Sequence, residues 1–194
     1  IHAGRDVNAS GVVLLLDATK GLEVQDLKIA DHVIQEGRAL IIAINKWDIA
    51  ENASSLFNGI RGALEEGLSQ LKGVPMIAVS AATGKSLDQM LTAAFAAREA
   101  WSRRVSTGAL NRWFETAVET NPPPSHGGKR IKLRYMTQAR NRPPTFVVFG
   151  TRVEHLPDSY RRYLLNGIRR DLDFGAVPVR INFRAGKNPY ADKD

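Results

Sequence analysis

The stretch "IIAINKWDIA", residues 41–50, decides the fold. A β-branched, apolar run stops abruptly at Asn45-Lys46-Trp47-Asp48, as a strand buried on both faces does when it opens into a polar turn. Two further passages have the same form. "VPMIAVSAATGKS", residues 74–86, ends its apolar run in Ser80-Ala81-Ala82-Thr83-Gly84, and "GVVLLLDATKG", residues 11–21, ends in Asp17. The apolar runs 12–16, 39–44 and 74–79 are predicted strands, and stretches of helical period follow them at 23–36, 54–71 and 86–98. A β-α-β-α-β-α order requires a parallel sheet with right-handed crossovers. In such sheets ligands bind where the carboxyl ends of the strands open into loops.

The turn at 45–48 and the loop at 79–84 both lie at such ends, and their residue types suit a purine. Guanine explains Asp48: one carboxylate can accept from N1–H and from the exocyclic amino group together. Adenine offers neither donor and would leave the carboxylate unpaired. Asn45 can bond the N7 edge and tie the two loops together, and Lys46 can lay its aliphatic stem along the base. The backbone N–H of Ala81 can reach O6, and the small side chains of Ser80 and Ala81 admit the approach. The plain alternatives are a turn with a solvated lysine and an Asp48 that caps a following helix.

The spelling Gly84-Lys85-Ser86 raises a second reading, the end of a phosphate loop. A loop of the form GxxxxGK[ST] needs glycine at position 79, which is Val79. Gly84 then reads as a turn residue and Ser86 as a helix N-cap. Asp17 reads as a loop cap rather than a catalytic group, and no residue is assigned a catalytic role.

After a helix-like run at 110–119, broken by "NPPP", comes "GGKRIKLRYMTQ", residues 127–138. Ile131, Leu133 and Tyr135 alternate with Lys132 and Arg134, the pattern of a strand with one buried and one basic face. "RNRPP" turns the chain into a second strand, "TFVVFG", in which Phe146, Val148 and Phe149 read as core. A helix over 156–172 buries Tyr160, Tyr163, Leu164 and Ile168 and turns Arg161, Arg162, Arg169 and Arg170 largely away from that stripe. A strand at 179–183 completes an α-β-β-α-β unit. Lys129, Arg130, Lys132, Arg134 and the four helix arginines are the candidate RNA-binding residues.

Composition fits this division. The chain has 194 residues, 43% of them hydrophobic, and no cysteine, which suits one or two packed domains and excludes a disulfide scaffold or a thiolate metal site. No apolar run approaches the roughly 20 residues needed to cross a bilayer. No signal peptide opens the chain, and a cytoplasmic location is expected. Residues 1–105 carry 11 Lys and Arg against 12 Asp and Glu, and residues 106–194 carry 16 against 8, so the halves stand near −1 and +8. A neutral part is joined to a basic part whose partner is polyanionic.

The pairing of NKxD with a serine-alanine loop resembles the guanine-recognition elements of the Ras-like, translation-factor-related GTPases. The passages "RRVSTGALNRWFE", "GGKRIKLRYMTQARNRPPTFVVFG", "LPDSYRRYLLNGIRRDLDFGAVPVRINF" and "GKNPY" resemble the carboxyl-terminal KH-like domain of the Der/EngA family, bacterial proteins with two tandem GTPase domains. The resemblance implies an α/β fold: a partial Ras-like P-loop GTPase domain, its N-terminal strands absent, followed by an α+β KH-like domain. Expected boundaries are 1–104, 105–190 and a tail at 191–194. It also implies GTP or GDP as ligand, with Mg²⁺ ligands only in an intact protein, and a role for a monomer in large ribosomal subunit assembly through rRNA. No GXXG loop lies between the helices of the second part. The phosphate loop, the Mg²⁺-binding threonine and the DxxG segment are expected upstream of residue 12, since the chain opens on Ile1 and reaches its first strand after only ten residues. By itself it is expected not to hydrolyse GTP. Two other functions remain open: a free-standing RNA-binding module with a scaffold α/β domain, and a phosphate-binding enzyme using Gly84-Lys85-Ser86.

Overall fold

The computed structural model describes residues 10–68 and 73–185. The chain divides into two compact units, Ile1–Ser102 with Gly175–Pro178, and Arg103–Phe174 with Val179–Asp194.

In the first unit β1 (Gly11–Asp17), β2 (Ala39–Asn45) and β3 (Met76–Ala78) form a parallel sheet in the order β1-β2-β3. The helices α1 (Val24–Gln35), α2 (Ala53–Gly67) and α3 (Leu87–Ser102) alternate with the strands. The expected end of the second helix at Leu71 lies outside the described residues. α1 starts where the Asp26 carboxylate accepts from the Glu23 N–H at 2.9 Å, satisfying an amide that the helix itself cannot. β2 is central, so its side chains are buried on both faces. Leu40, Ile42 and Ile44 join Leu16, Ala30, Val33, Ile60 and Leu64 in one core, and α3 packs on β2 and β1.

Among the described residues β1 pairs with β2 alone and lies at the edge of the sheet. Its alternate residues Val12 and Leu14 pack against the core, whereas Val13 and Leu15 are exposed, Leu15 at 55%. On α3, Leu91 and Phe95 are one helical turn apart and are also exposed, Phe95 at 66%. An apolar edge strand of this kind is an association surface.

In the second unit, α4 (Thr107–Thr120) opens with the Ser106 hydroxyl accepting from the Ala109 N–H, and is followed by β4 (Lys132–Asn141) and β5 (Pro144–Thr151). Next come α5 (Asp158–Asp171) and β6 (Arg180–Ala185). The sheet order is β4-β5-β6, with β4 antiparallel and β6 parallel to β5. One face of the sheet meets α4 and α5 in a core of Leu110, Phe114, Met136, Phe146, Val148, Tyr160, Leu164 and Ile168. Two side-chain amides satisfy backbone groups inside this unit. Asn111 bonds both the N–H and the C=O of Met136, and the buried Gln138 accepts from the Val105 N–H and donates to the Arg103 carbonyl.

β4 departs from the alternation expected of it. Leu133 pairs with Gly150 and Tyr135 with Phe149, so Arg134 is an extra residue in a β-bulge. The bulge shifts the alternation by one: Ile131 is buried, but Tyr135 emerges on the open face and Met136 takes the inward position. Gly150 is required beside it, because a β-carbon there would collide with the Lys132 carbonyl. On β5 the inward residues are Phe146 and Val148. Phe149 therefore faces outward, correcting the expectation that all three are core.

A contrast between two leucine-sized positions tests this fold. Leu15→Lys is expected to change stability by no more than about 0.5 kcal/mol and to lower concentration-dependent association. Ile42→Ala is expected to cost about 2 to 5 kcal/mol. Urea denaturation and light scattering measure the two effects.

Candidate functional site

The carboxyl ends of β1, β2 and β3 converge on one group of side chains. Asn45, the last residue of β2, lies in register with Asp17, the last residue of β1. Its Oδ1 accepts from the Ala81 N–H at 3.0 Å, its carbonyl accepts from the Ala18 N–H at 2.9 Å, and the Trp47 N–H donates to the Val79 carbonyl at 3.1 Å. One asparagine and the residues beside it thus join the three loops. The Ala81 amide, expected to serve a base oxygen, is used here to hold Asn45.

Lys46 has φ 63°, a left-handed conformation that few residues with a side chain adopt, and it turns the chain into the one-turn 3₁₀ helix Trp47–Ile49. Its Nζ lies 2.8 Å from Asp17 Oδ2, while Asp17 Oδ1 accepts from the backbone N–H and the hydroxyl of Thr19. The loop-capping role expected of Asp17 is present. The ion pair to Lys46 is the contact that sequence reasoning missed. The signal was available only through register, since the two residues are far apart in sequence and adjacent only because β1 and β2 are parallel and paired. The Lys46 ammonium and the Thr19 donors hold the Asp17 carboxyl well below its ordinary range.

Asp48 is exposed, and its carboxylate makes no hydrogen bond or ion pair among the described residues. The following helix, α2, has Asn52 at its N-cap position, so Asp48 does not cap it. Ser80 is fully buried, and its hydroxyl accepts from the Thr83 N–H at 3.1 Å. The loop closes on itself through Gly84 N–H to the Ser80 carbonyl at 2.8 Å, Ser80 N–H to the Lys85 carbonyl at 3.1 Å, and Lys85 N–H to the Thr83 hydroxyl at 3.4 Å. Gly84 has φ +79° and fills the expected turn position. Ser86 has φ 59° and precedes α3. With the amides of Ala81, Thr83, Gly84 and Lys85 committed, the loop lacks the donors with which a phosphate loop wraps its anion.

The candidate basic residues of the second unit differ in what they engage. Arg161 donates through Nε to the Leu156 carbonyl and through an Nη to the Val153 carbonyl, and its guanidinium lies 4.7 Å from the Phe183 ring centre. Arg170 makes two bonds to the Asp171 carboxylate, which also accepts from Trp113. Arg169 is half-buried, and burial lowers its pKa. Arg162 is exposed, with no ion pair among the described residues. Lys129 and Arg130 are exposed at a tight turn in which His126 and Lys129 exchange backbone bonds across Gly127 and Gly128. Lys132 and Arg134 lie on β4, exposed.

A parallel sheet with an NKxD turn and a serine-alanine loop at adjoining strand ends, followed by an α-β-β-α-β unit, defines the class of GTPase-domain proteins that carry a KH-like domain. Residues 5–99 match the family model described as the elongation factor Tu GTP binding domain. Residues 104–184 match that described as the KH-domain-like of EngA bacterial GTPase enzymes, C-terminal. The chain is 66% identical over 183 residues to GTPase Der of Novosphingobium aromaticivorans and 49% identical over 185 residues to GTPase Der of Nitrobacter hamburgensis, covering 94% and 95% of this chain. It belongs to the Der/EngA family. It spans 40% of the length of each of these two relatives. A solved structure of Era, in complex with MgGDPNP and nucleotides 1506-1542 of 16S ribosomal RNA, aligns with 91% of this chain and 65% of its own. Its TM-score is 0.38 at 14% identity, too loose to bear on the site. No helix among the described residues is long and apolar enough to cross a membrane.

The Asp17–Lys46 pair has a definite pH signature. Because the folded-state pKa is lowered, the pair contributes fully above the ordinary Asp value of 3.8 and is lost only as pH falls through the lower folded value. Carbon-13 NMR of the Asp17 carboxyl is expected to show no inflection between about pH 3 and pH 8.

Proposed function

We infer that this chain supplies the guanine-recognition half of a GTPase site and a basic unit that contacts rRNA during assembly of the large ribosomal subunit. The observation that carries the reading is the Asp48 carboxylate, free of partners among the described residues, beside two loops fixed to each other by the Asn45–Ala81 bond. A carboxylate so placed fits guanine, whose N1–H and amino group are the donors that it lacks. Asn45, Lys46, Asp48, Ser80 and Ala81 form the base site. Asn45, with Oδ1 already accepting, has its amide NH₂ to offer to N7. Lys46, its ammonium held by Asp17, has its stem as a platform for the ring.

Residues 1–104 belong to the GTPase portion and 105–190 to the KH-like portion in this reading. The protein acts as a cytoplasmic monomer that binds GTP or GDP. Mg²⁺ accompanies the nucleotide in the intact gene product in this reading. The chain contains no GxxxxGK[ST] sequence. Phosphoryl transfer depends on groups that position the phosphates and offset their charge, so residues 1–194 alone are expected to release no phosphate from GTP above the buffer background.

Nucleotide binding by the intact gene product tests the base site. With the other GTPase domain of the intact gene product inactivated, Asp48→Ala is expected to erase the preference for GTP over ATP, a discrimination of about 10⁴-fold where a site is built to bond a group that the analogue lacks. Lys85→Ala is expected to leave the preference unchanged. A collapse of all nucleotide binding on changing Lys85, with Asp48 silent, would overturn the reading.

A further inference from the structure

The bulge at Arg134 and the alternation along β5 bring Tyr135 and Phe149 together on the face of the sheet opposite α4 and α5. Their rings stack, with centroids 4.7 Å apart and planes 14° from parallel, and Tyr135 is 49% exposed. Phe149 is paired in turn with Arg184 of β6, so one row across the sheet reads tyrosine, phenylalanine, arginine. The next outward pair is Lys132 with Thr151, and Arg134 sits exposed in the bulge. The three strands contain five Lys and Arg and no Asp or Glu. Lys132, Arg134 and Arg184 make no ion pair among the described residues.

We propose that the end of the β4-β5-β6 sheet around Tyr135 and Phe149, on the face opposite α4 and α5, is a binding platform for single-stranded RNA, in which an unpaired base continues the Tyr135–Phe149 stack and Lys132, Arg134 and Arg184 hold the flanking phosphates. Aromatic rings joined to unopposed cations are the two components of single-strand binding: every base has a π-face to offer, and the backbone is anionic along its length. A duplex suits the surface less well, because its bases are already stacked on each other. A protein partner would need acidic groups to meet three unopposed cations. The proposal rests on the reading of the second unit as an RNA-contacting one and gives it a surface distinct from the α5 arginines. Two of those, Arg161 and Arg170, are engaged with carbonyl groups and with Asp171.

The test is fluorescence anisotropy of the full chain with a labelled 12-nucleotide single-stranded RNA and with the same sequence as a duplex. Tyr135→Ala is expected to weaken single-strand binding about tenfold at every salt concentration and to leave duplex binding unchanged, with Tyr135→Trp restoring the affinity. Arg184→Gln is expected to weaken both and to lower the salt slope by about one. Circular dichroism melts of each variant show that the fold is kept. If wild type binds neither RNA, the RNA-contacting reading fails and the platform with it. If wild type binds the single strand and Tyr135→Ala binds it equally well, the platform alone is overturned. Should Tyr135→Ala instead lose only a co-purifying protein, the face is a protein interface and the proposal is likewise wrong.

Discussion

The hydrogen bond from the Ala81 N–H to Asn45 Oδ1 is the side-chain tie between the two loops at the carboxyl ends of β2 and β3. Parallel strands deliver their loops to the same edge of a sheet, but pairing alone does not fix how those loops face each other. β2 and β3 share only three residue pairs. Beyond them the Asn45 side chain and the Trp47 and Val79 backbones continue the connection into the turns. Replacing Asn45 with aspartate would set a carboxylate at the same distance from the amide, yet remove the NH₂ that asparagine keeps available on its other side.

The lysine that follows shows why the turn tolerates strain. A left-handed residue with a long side chain costs something relative to glycine, and a glycine at position 46 could not reach Asp17. The ion pair is partly exposed, where Coulomb attraction is weak. What the pair fixes is position: it holds the Lys46 side chain toward the end of β1.

Much of this was legible in the sequence, and the failures have identifiable causes. The alternating order of β1 to α3 follows from apolar runs that are too short for helices and bounded by turn residues, and the loops expected after Asn45 and Val79 are the ones that the Asn45–Ala81 bond joins. Residues that meet only through register were not legible, Asp17 with Lys46 being the case in point. Nor was the inward or outward sense of Tyr135, because alternation is counted from the start of a strand and one unpaired residue inverts everything after it. The arginines of α5 were correctly placed on the helix. A helical wheel, however, shows which way a side chain starts and not what it bends back to touch, and Arg161 bends back to two carbonyls and a ring.

β4 has a second irregularity: Gln138 pairs with Phe146 and Arg140 with Thr145, leaving Ala139 over. Arg134 and Ala139 are thus supernumerary in a ladder whose other members are spoken for. Shortening a strand by one residue ordinarily turns its remaining side chains inside out. Excision at either of these two points would instead leave Tyr135 to Gln138 opposite their present partners, so the pairing register accommodates a change of length at two defined joints.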